Sequence, residues 1–150
     1  MTDTDVSDRL PGAGGNRGST MDTTTSSPPG EILFVDDEEP IARLGHDLLD
    51  LLGFRAVSVT SPKRALELVN GEPKRFSLLI VDLKMNEMNG LDLVSGVRES
   101  QPELPVVLMS GLWDSNVIME MKRTKKLWSL SKPFTARDLE SAVRQALNAN

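Results

Sequence analysis

The sequence predicts a doubly wound α/β fold, (βα)5 in order, with a parallel five-stranded sheet and helices on both faces. Short, solid apolar runs recur along the chain from Ile32 onward, and each is followed by a segment with helical spacing. Continuous rather than alternating apolarity suits strands covered on both faces, as in parallel sheets. Strand-then-helix units joined by right-handed crossovers give this architecture.

The first strand is Ile32-Leu33-Phe34-Val35. Pro40 suits the first turn of a helix, and Ile41, Leu44, Leu48 and Leu51 recur on one face before Gly53 stops it. Phe54 to Thr60, rich in β-branched residues, is the second strand. Ser61-Pro62 caps a helix carrying Ala65, Leu66 and Val69 to a stop at Asn70-Gly71. Phe76 to Val81 is the third strand, and a turn ending at Asn89-Gly90 opens a helix with Leu91, Val94 and Val97. Pro105 to Met109 is the fourth strand, followed by a weaker helix from Asp114 to about Lys122. Leu127 to Leu130 is a short fifth strand. Thr135-Ala136-Arg137-Asp138 resembles a capping box, opening a last helix with Leu139, Val143 and Leu147.

Residues 1–30 stand apart. Gly, Pro, Ser and Thr fill 18 of these 30 positions, and Val6 and Leu10 are the only branched aliphatics. Such a stretch cannot bury enough apolar surface to offset the entropy of ordering it, and reads as a disordered tail. Met21 within it is an alternative start. The expected division is therefore a tail over 1–30 and one domain over 31–150.

Composition narrows the function. A hydrophobic content of 39% with 26% charged residues belongs to a globular protein. With no cysteine, disulfides and thiolate metal sites are excluded. No apolar run is long enough to cross a bilayer, and the N-terminus lacks the regions of a secretory signal, so a cytoplasmic location without membrane contact is expected. The net charge of −5 argues against direct binding of duplex DNA, which needs a basic surface.

In a doubly wound fold the site lies beyond the carboxyl ends of the strands. The first strand ends in Asp36-Asp37, the third in Asp82, the fourth in Ser110-Gly111 and the fifth in Ser131-Lys132-Pro133. Carboxylates brought together repel unless a cation sits among them. Oxygen ligands without Cys or His select a hard divalent ion, Mg²⁺ above all. A cation, a lysine and a hydroxyl make a pocket for a dianionic phosphoryl group, and an aspartate can serve as the nucleophile that accepts it. Taken singly, each feature has a plainer meaning. Asp36-Asp37 with Glu38 and Glu39 also suits an acidic helix start, and Ser110 an ordinary loop serine. His46, off the apolar stripe, reads as a solvated surface residue, and Met119 and Met121 as helix packing.

The chain resembles the receiver domains of bacterial two-component response regulators, which are flavodoxin-like. The resemblance rests on Asp36-Asp37, on Asp82 with Met85, Met88 and Gly90 following, on Met109-Ser110-Gly111 and on Lys132-Pro133-Phe134. The intervals agree too: 45 positions from Asp37 to Asp82, 28 to Ser110 and 22 to Lys132. The resemblance implies that Asp82 takes a phosphoryl group from a phosphohistidine on a histidine kinase or histidine phosphotransfer protein. It implies Mg²⁺ held by Asp37, Asp82 and the backbone carbonyl of Lys84, with Asp36 acting through a metal-bound water. Lys132 and Ser110 would bond phosphoryl oxygens, and a cis peptide would precede Pro133. The side chains of Lys84 and Leu112 would flank the hydrolytic water. Leu112 has no polar atom to hold that water, so slow loss of phosphate is expected.

Departures from the family pattern fall mainly on the face made by the fourth helix, fifth strand and fifth helix, which commonly carries output. Ser129 stands where an aromatic residue is usual, with Trp128 beside it on the opposite side of the strand. Lys125-Lys126 replaces a small pair, and with Lys122 and Arg123 forms a basic run. That run reads either as a solvated helix end or as a dock for an acidic partner. Asn86 replaces a proline, which is expected to loosen the loop after Asp82. The function expected is a stand-alone receiver that switches binding of a downstream protein, without a separate enzymatic domain and with phosphorylation-linked homodimerisation as an option. The alternatives are a phosphate shuttle or sink in a phosphorelay, a receiver fragment of a hybrid kinase, and a haloacid-dehalogenase-type phosphatase. The last expects a second acid two positions after its nucleophile, where Lys84 stands.

Overall fold

Each solid apolar run forms a strand and each helically spaced segment a helix in a computed structural model that describes residues 30–149. The order is β1 (Glu31–Val35), α1 (Glu39–Leu51), β2 (Ala56–Val59), α2 (Pro62–Gly71), β3 (Phe76–Asp82), α3 (Gly90–Ser100), β4 (Val106–Ser110), α4 (Ser115–Arg123), β5 (Leu127–Ser131) and α5 (Ala136–Asn148). The disordered tail and the alternative start at Met21 concern residues outside the described ones.

All neighbouring strands pair in parallel, in the order β2-β1-β3-β4-β5. The chain runs outward from β1 to β2 and then returns to β3 on the other side of β1. The loops leaving β1 and β3 therefore diverge, and a crevice opens between them.

Strand alternation sorts the core into two layers. Leu33, Val35, Leu79, Val81, Val106 and Leu108 pack with Ala65 and Val69 of α2 and Leu93, Val94 and Val97 of α3. Ile32, Phe34, Leu78, Ile80, Val107 and Met109 face the other way, against Leu49 of α1 and Leu139, Ala142, Val143 and Ala146 of α5. Full burial of one such side chain is worth about 1.5–3 kcal/mol, so the three central strands dominate stability. Helix starts are set locally: Ser61, Asn89 and Asp114 each accept a backbone N–H three residues on, and Thr135 with Asp138 makes a complete capping box.

Three expectations are corrected. Ile41 and Leu48 are half-buried against the core as expected, but the buried stripe of α1 is Ala42, Gly45 and Leu49, and Leu44 and Leu51 are 44% and 83% exposed. The cause is Gly45, where a Cβ would lie 2.2 Å from the Phe34 ring. Small Ala42 and Gly45 let the helix approach the sheet, with Leu49 filling the space beside them. His46 is half-buried rather than solvated, and its Nδ1 is buried without a hydrogen-bond partner. Finally, Met119 is 52% exposed, and only Met121 packs against the α2–α3 layer.

Candidate functional site

The crevice between β1 and β3 gathers the acids. Asp36 directly follows β1 and is fully buried, its Oδ1 accepting the Glu38 N–H at 2.9 Å. Asp82 ends β3 and is 6% exposed. With Asp37 they offer three carboxylate oxygens that lie within 4.8 Å of one another. Gly90 keeps this end of β3 in place: its N–H donates to the Leu83 carbonyl at 2.7 Å, and a Cβ there would lie 2.5 Å from the Asp82 carbonyl oxygen.

Lys132 reaches in from the end of β5, its Nζ donating to Asp36 Oδ2 at 2.7 Å and lying 3.0 Å from Asp82 Oδ1. Burial pushes the Asp82 carboxyl above its ordinary range, and the contact with Lys132 only partly restores it. Burial also works against the Lys132 ammonium, but its bonds to Asp36 and Asp82 outweigh that and hold its pKa above the usual lysine value. Three carboxylates thus face one ammonium, a deficit of two positive charges when all are ionised. An all-oxygen, doubly anionic pocket fits a hard divalent cation such as Mg²⁺.

The loops refine this picture. The Asn86 N–H donates to Asp37 Oδ2 at 2.9 Å. A proline at that position has no N–H, so Asn86 ties its loop to the end of β1 instead of loosening it. Sequence patterns could not reveal this, because the donor is backbone. Lys84 is exposed, and the Leu112 side chain is 68% exposed. The Ser110 hydroxyl is buried and donates to the Leu112 carbonyl at 2.7 Å. Trp113, which belongs to none of the sequence motifs, donates its indole N–H to Ser131 Oγ at 3.0 Å.

On the α4–β5 side the basic run divides. Lys122, Arg123 and Lys125 are exposed, whereas Lys126 pairs with Glu103 at 3.0 Å. Lys126 has a left-handed backbone with φ of 54°. That conformation is held by Arg98 of α3, whose guanidinium donates to the carbonyls of Lys125, Lys126 and Leu104. Trp128 packs into the α1–α5 layer. Ser129, register partner of Leu108, lies on the other side and is exposed. The peptide bond before Pro133 is cis.

The response regulator receiver domain profile matches residues 32–144. The response regulator receiver protein CpdR of Brucella abortus is 29% identical over 118 residues, which are 79% of this chain and 97% of that protein. The sporulation initiation phosphotransferase F of Bacillus subtilis is 26% identical over 117 residues, 78% of this chain and 93% of that protein. Among solved structures, a response regulator receiver domain protein from Clostridium thermocellum superposes with a TM-score of 0.73 at 29% identity, over 79% of this chain and 94% of that one.

Proposed function

We propose, for a chain that belongs to the response regulator receiver domain family, that Asp82 accepts a phosphoryl group from a phosphohistidine on a histidine kinase or phosphotransfer protein. The observation that carries this is Asp82 itself, nearly buried at the end of β3, with an ammonium 3.0 Å away and two further carboxylates beside it. An Asp82 oxygen forms the new P–O bond as the P–N bond breaks, and the donor imidazole leaves with the electron pair. Such transfer needs positioning and charge neutralisation more than proton transfer. Lys132 supplies one positive charge and moves from Asp82 to a phosphoryl oxygen. The carboxylates of Asp36, Asp37 and Asp82, with the backbone carbonyl of Lys84, would hold Mg²⁺, which supplies the remaining neutralisation when bound. Ser110 donates its proton to another phosphoryl oxygen.

The phosphorylated protein then acts as a switch for a downstream protein. The face that carries exposed Ile118, Met119, Lys122, Arg123 and Lys125 suits an acidic partner with an apolar centre. A shuttle role is the second reading, favoured by the likeness to a protein named a phosphotransferase. The test is incubation with a small acyl phosphate and Mg²⁺. One added phosphoryl group is expected by intact-mass measurement, none with a chelator, and none in Asp82→Asn. Undiminished incorporation in Asp82→Asn would refute the assignment. Persistence of the phosphoryl group over many minutes favours the switch, and its loss within seconds favours the shuttle or sink.

A further inference from the structure

The loop after β4 is fastened to the end of β5 at several points. Ser110 and Ser131 are register partners, and the Lys132 N–H donates to the Ser110 carbonyl at 2.9 Å. The Ser110 hydroxyl turns back on its own loop, accepting the Leu112 N–H at 3.0 Å and donating to the Leu112 carbonyl at 2.7 Å. A serine hydroxyl has one proton, and here it is spent on Leu112. Trp113 closes the loop: its half-buried ring packs against the α2–α3 layer while its indole N–H donates to Ser131 Oγ at 3.0 Å. Asp114 follows at once and caps α4, accepting the Val117 N–H at 2.9 Å.

Building on Asp82 as the acceptor, we propose that Trp113 is a positioning residue that acts through Ser110. Its hydrogen bond to Ser131 keeps the Ser110 hydroxyl on Leu112 and away from Asp82 in the unphosphorylated protein, and it is released when Ser110 turns to a phosphoryl oxygen. Ser110 cannot deliver its proton to the site while donating to the Leu112 carbonyl. Freeing that carbonyl shifts the Leu112–Trp113 peptide, and the indole bond is the next restraint along the chain. Beyond it lies α4, which has no buried residue and follows at little packing cost. Ser129, exposed on the same side of β5, offers no ring for this role.

The test uses the full chain. Trp128→Phe leaves Trp113 as the sole tryptophan of the two. With a small acyl phosphate and Mg²⁺, its emission is expected to shift in step with the gain of one phosphoryl mass. Trp113→Phe keeps a ring but deletes the N–H donor, and phosphorylation is expected to become about 2- to 10-fold faster, the range of one neutral hydrogen bond. Ser131→Ala, at an exposed serine, is expected to do the same and carries the test if Trp113→Phe folds poorly. In a Ser110→Ala background neither change is expected to alter the rate, which a merely structural role would not show. The proposal is overturned by phosphoryl gain with unchanged emission, by no acceleration in Ser131→Ala, or by acceleration that survives Ser110→Ala. Failure of the parent protein to gain a phosphoryl group overturns the acceptor reading, and this one with it.

Discussion

Asp36 and Asp82 extend from strands in which Ile32 to Val35 and Leu78 to Val81 are fully buried. The other end of the same sheet edge is built differently: α4 buries no residue, and β5 buries only Leu130. Packing on both faces makes the β1–β3 half a rigid mount for charge that is costly to gather. The α4–β5 half is held by discrete polar ties, chiefly Arg98 on the Lys125 and Lys126 carbonyls, Lys126 on Glu103, and Trp113 on Ser131. Discrete ties can be exchanged one for another, whereas a packed strand moves only with its neighbours. Under the proposed function, the packed half would hold the phosphoryl group and the tied half would respond to it.

The largest effect that bears on this contrast is expected in the mount. Leu79→Ala removes a fully buried side chain from the middle of β3 and is expected to cost about 2–5 kcal/mol in denaturant unfolding. Mg²⁺ at about a hundred times its dissociation constant is expected to add about 2.7 kcal/mol by binding only the folded state. Without Mg²⁺, Asp82→Asn is expected to be more stable than the parent at neutral pH. The sign follows from burial, which raises the Asp82 pKa. A raised carboxyl contributes stability below its unfolded pKa and loses it as pH rises through the folded one, so at neutral pH the ionised group is a net cost. Chelated samples at pH 7 in which Asp82→Asn unfolds first would contradict this.

A smaller effect is expected at the boundary between the halves. Leu112→Gln gives the hydrolytic water a polar partner that leucine lacks, and is expected to speed phosphate loss about tenfold, the worth of roughly one hydrogen bond. Single-turnover decay of the phosphorylated protein measures it. The smallest effect belongs to the loose half: Met119→Ala, at a residue 52% exposed on α4, is expected to change stability by less than about 0.5 kcal/mol. A cost near that of Leu79→Ala would mean that α4 is packed after all.

The sequence made the rigid half legible for the same reason that it is rigid. Strands buried on both faces read as solid apolar runs, so β1, β3 and β4 stood out, and with them the acids at their ends. The edge strand β2, only partly buried throughout, spans Ala56–Val59, shorter than the Phe54 to Thr60 that its β-branched residues predict. In α1 Ile41 and Leu48 pack as expected, but Leu44 and Leu51 do not, because close approach at Gly45 turns the Ala42–Gly45–Leu49 side of the helix to the sheet. The polar ties escaped notice because most of them end on backbone atoms. An N–H at Asn86 or a carbonyl at Lys126 has no signature in a string of residue types. Trp113 could have been noticed as a rare large residue three positions after Ser110, but its partner depends on the path of the loop.

The most direct measurement is the position of the phosphoryl group. The protein is phosphorylated with a small acyl phosphate and Mg²⁺, reduced with borohydride to convert an acyl phosphate to the alcohol, and mapped by tandem mass spectrometry. Homoserine in place of aspartate at position 82, and at no other aspartate, is the expected result. Homoserine at Asp36 or Asp37, or a phosphoryl group that resists reduction on a serine or threonine, would contradict the assignment of Asp82 as acceptor.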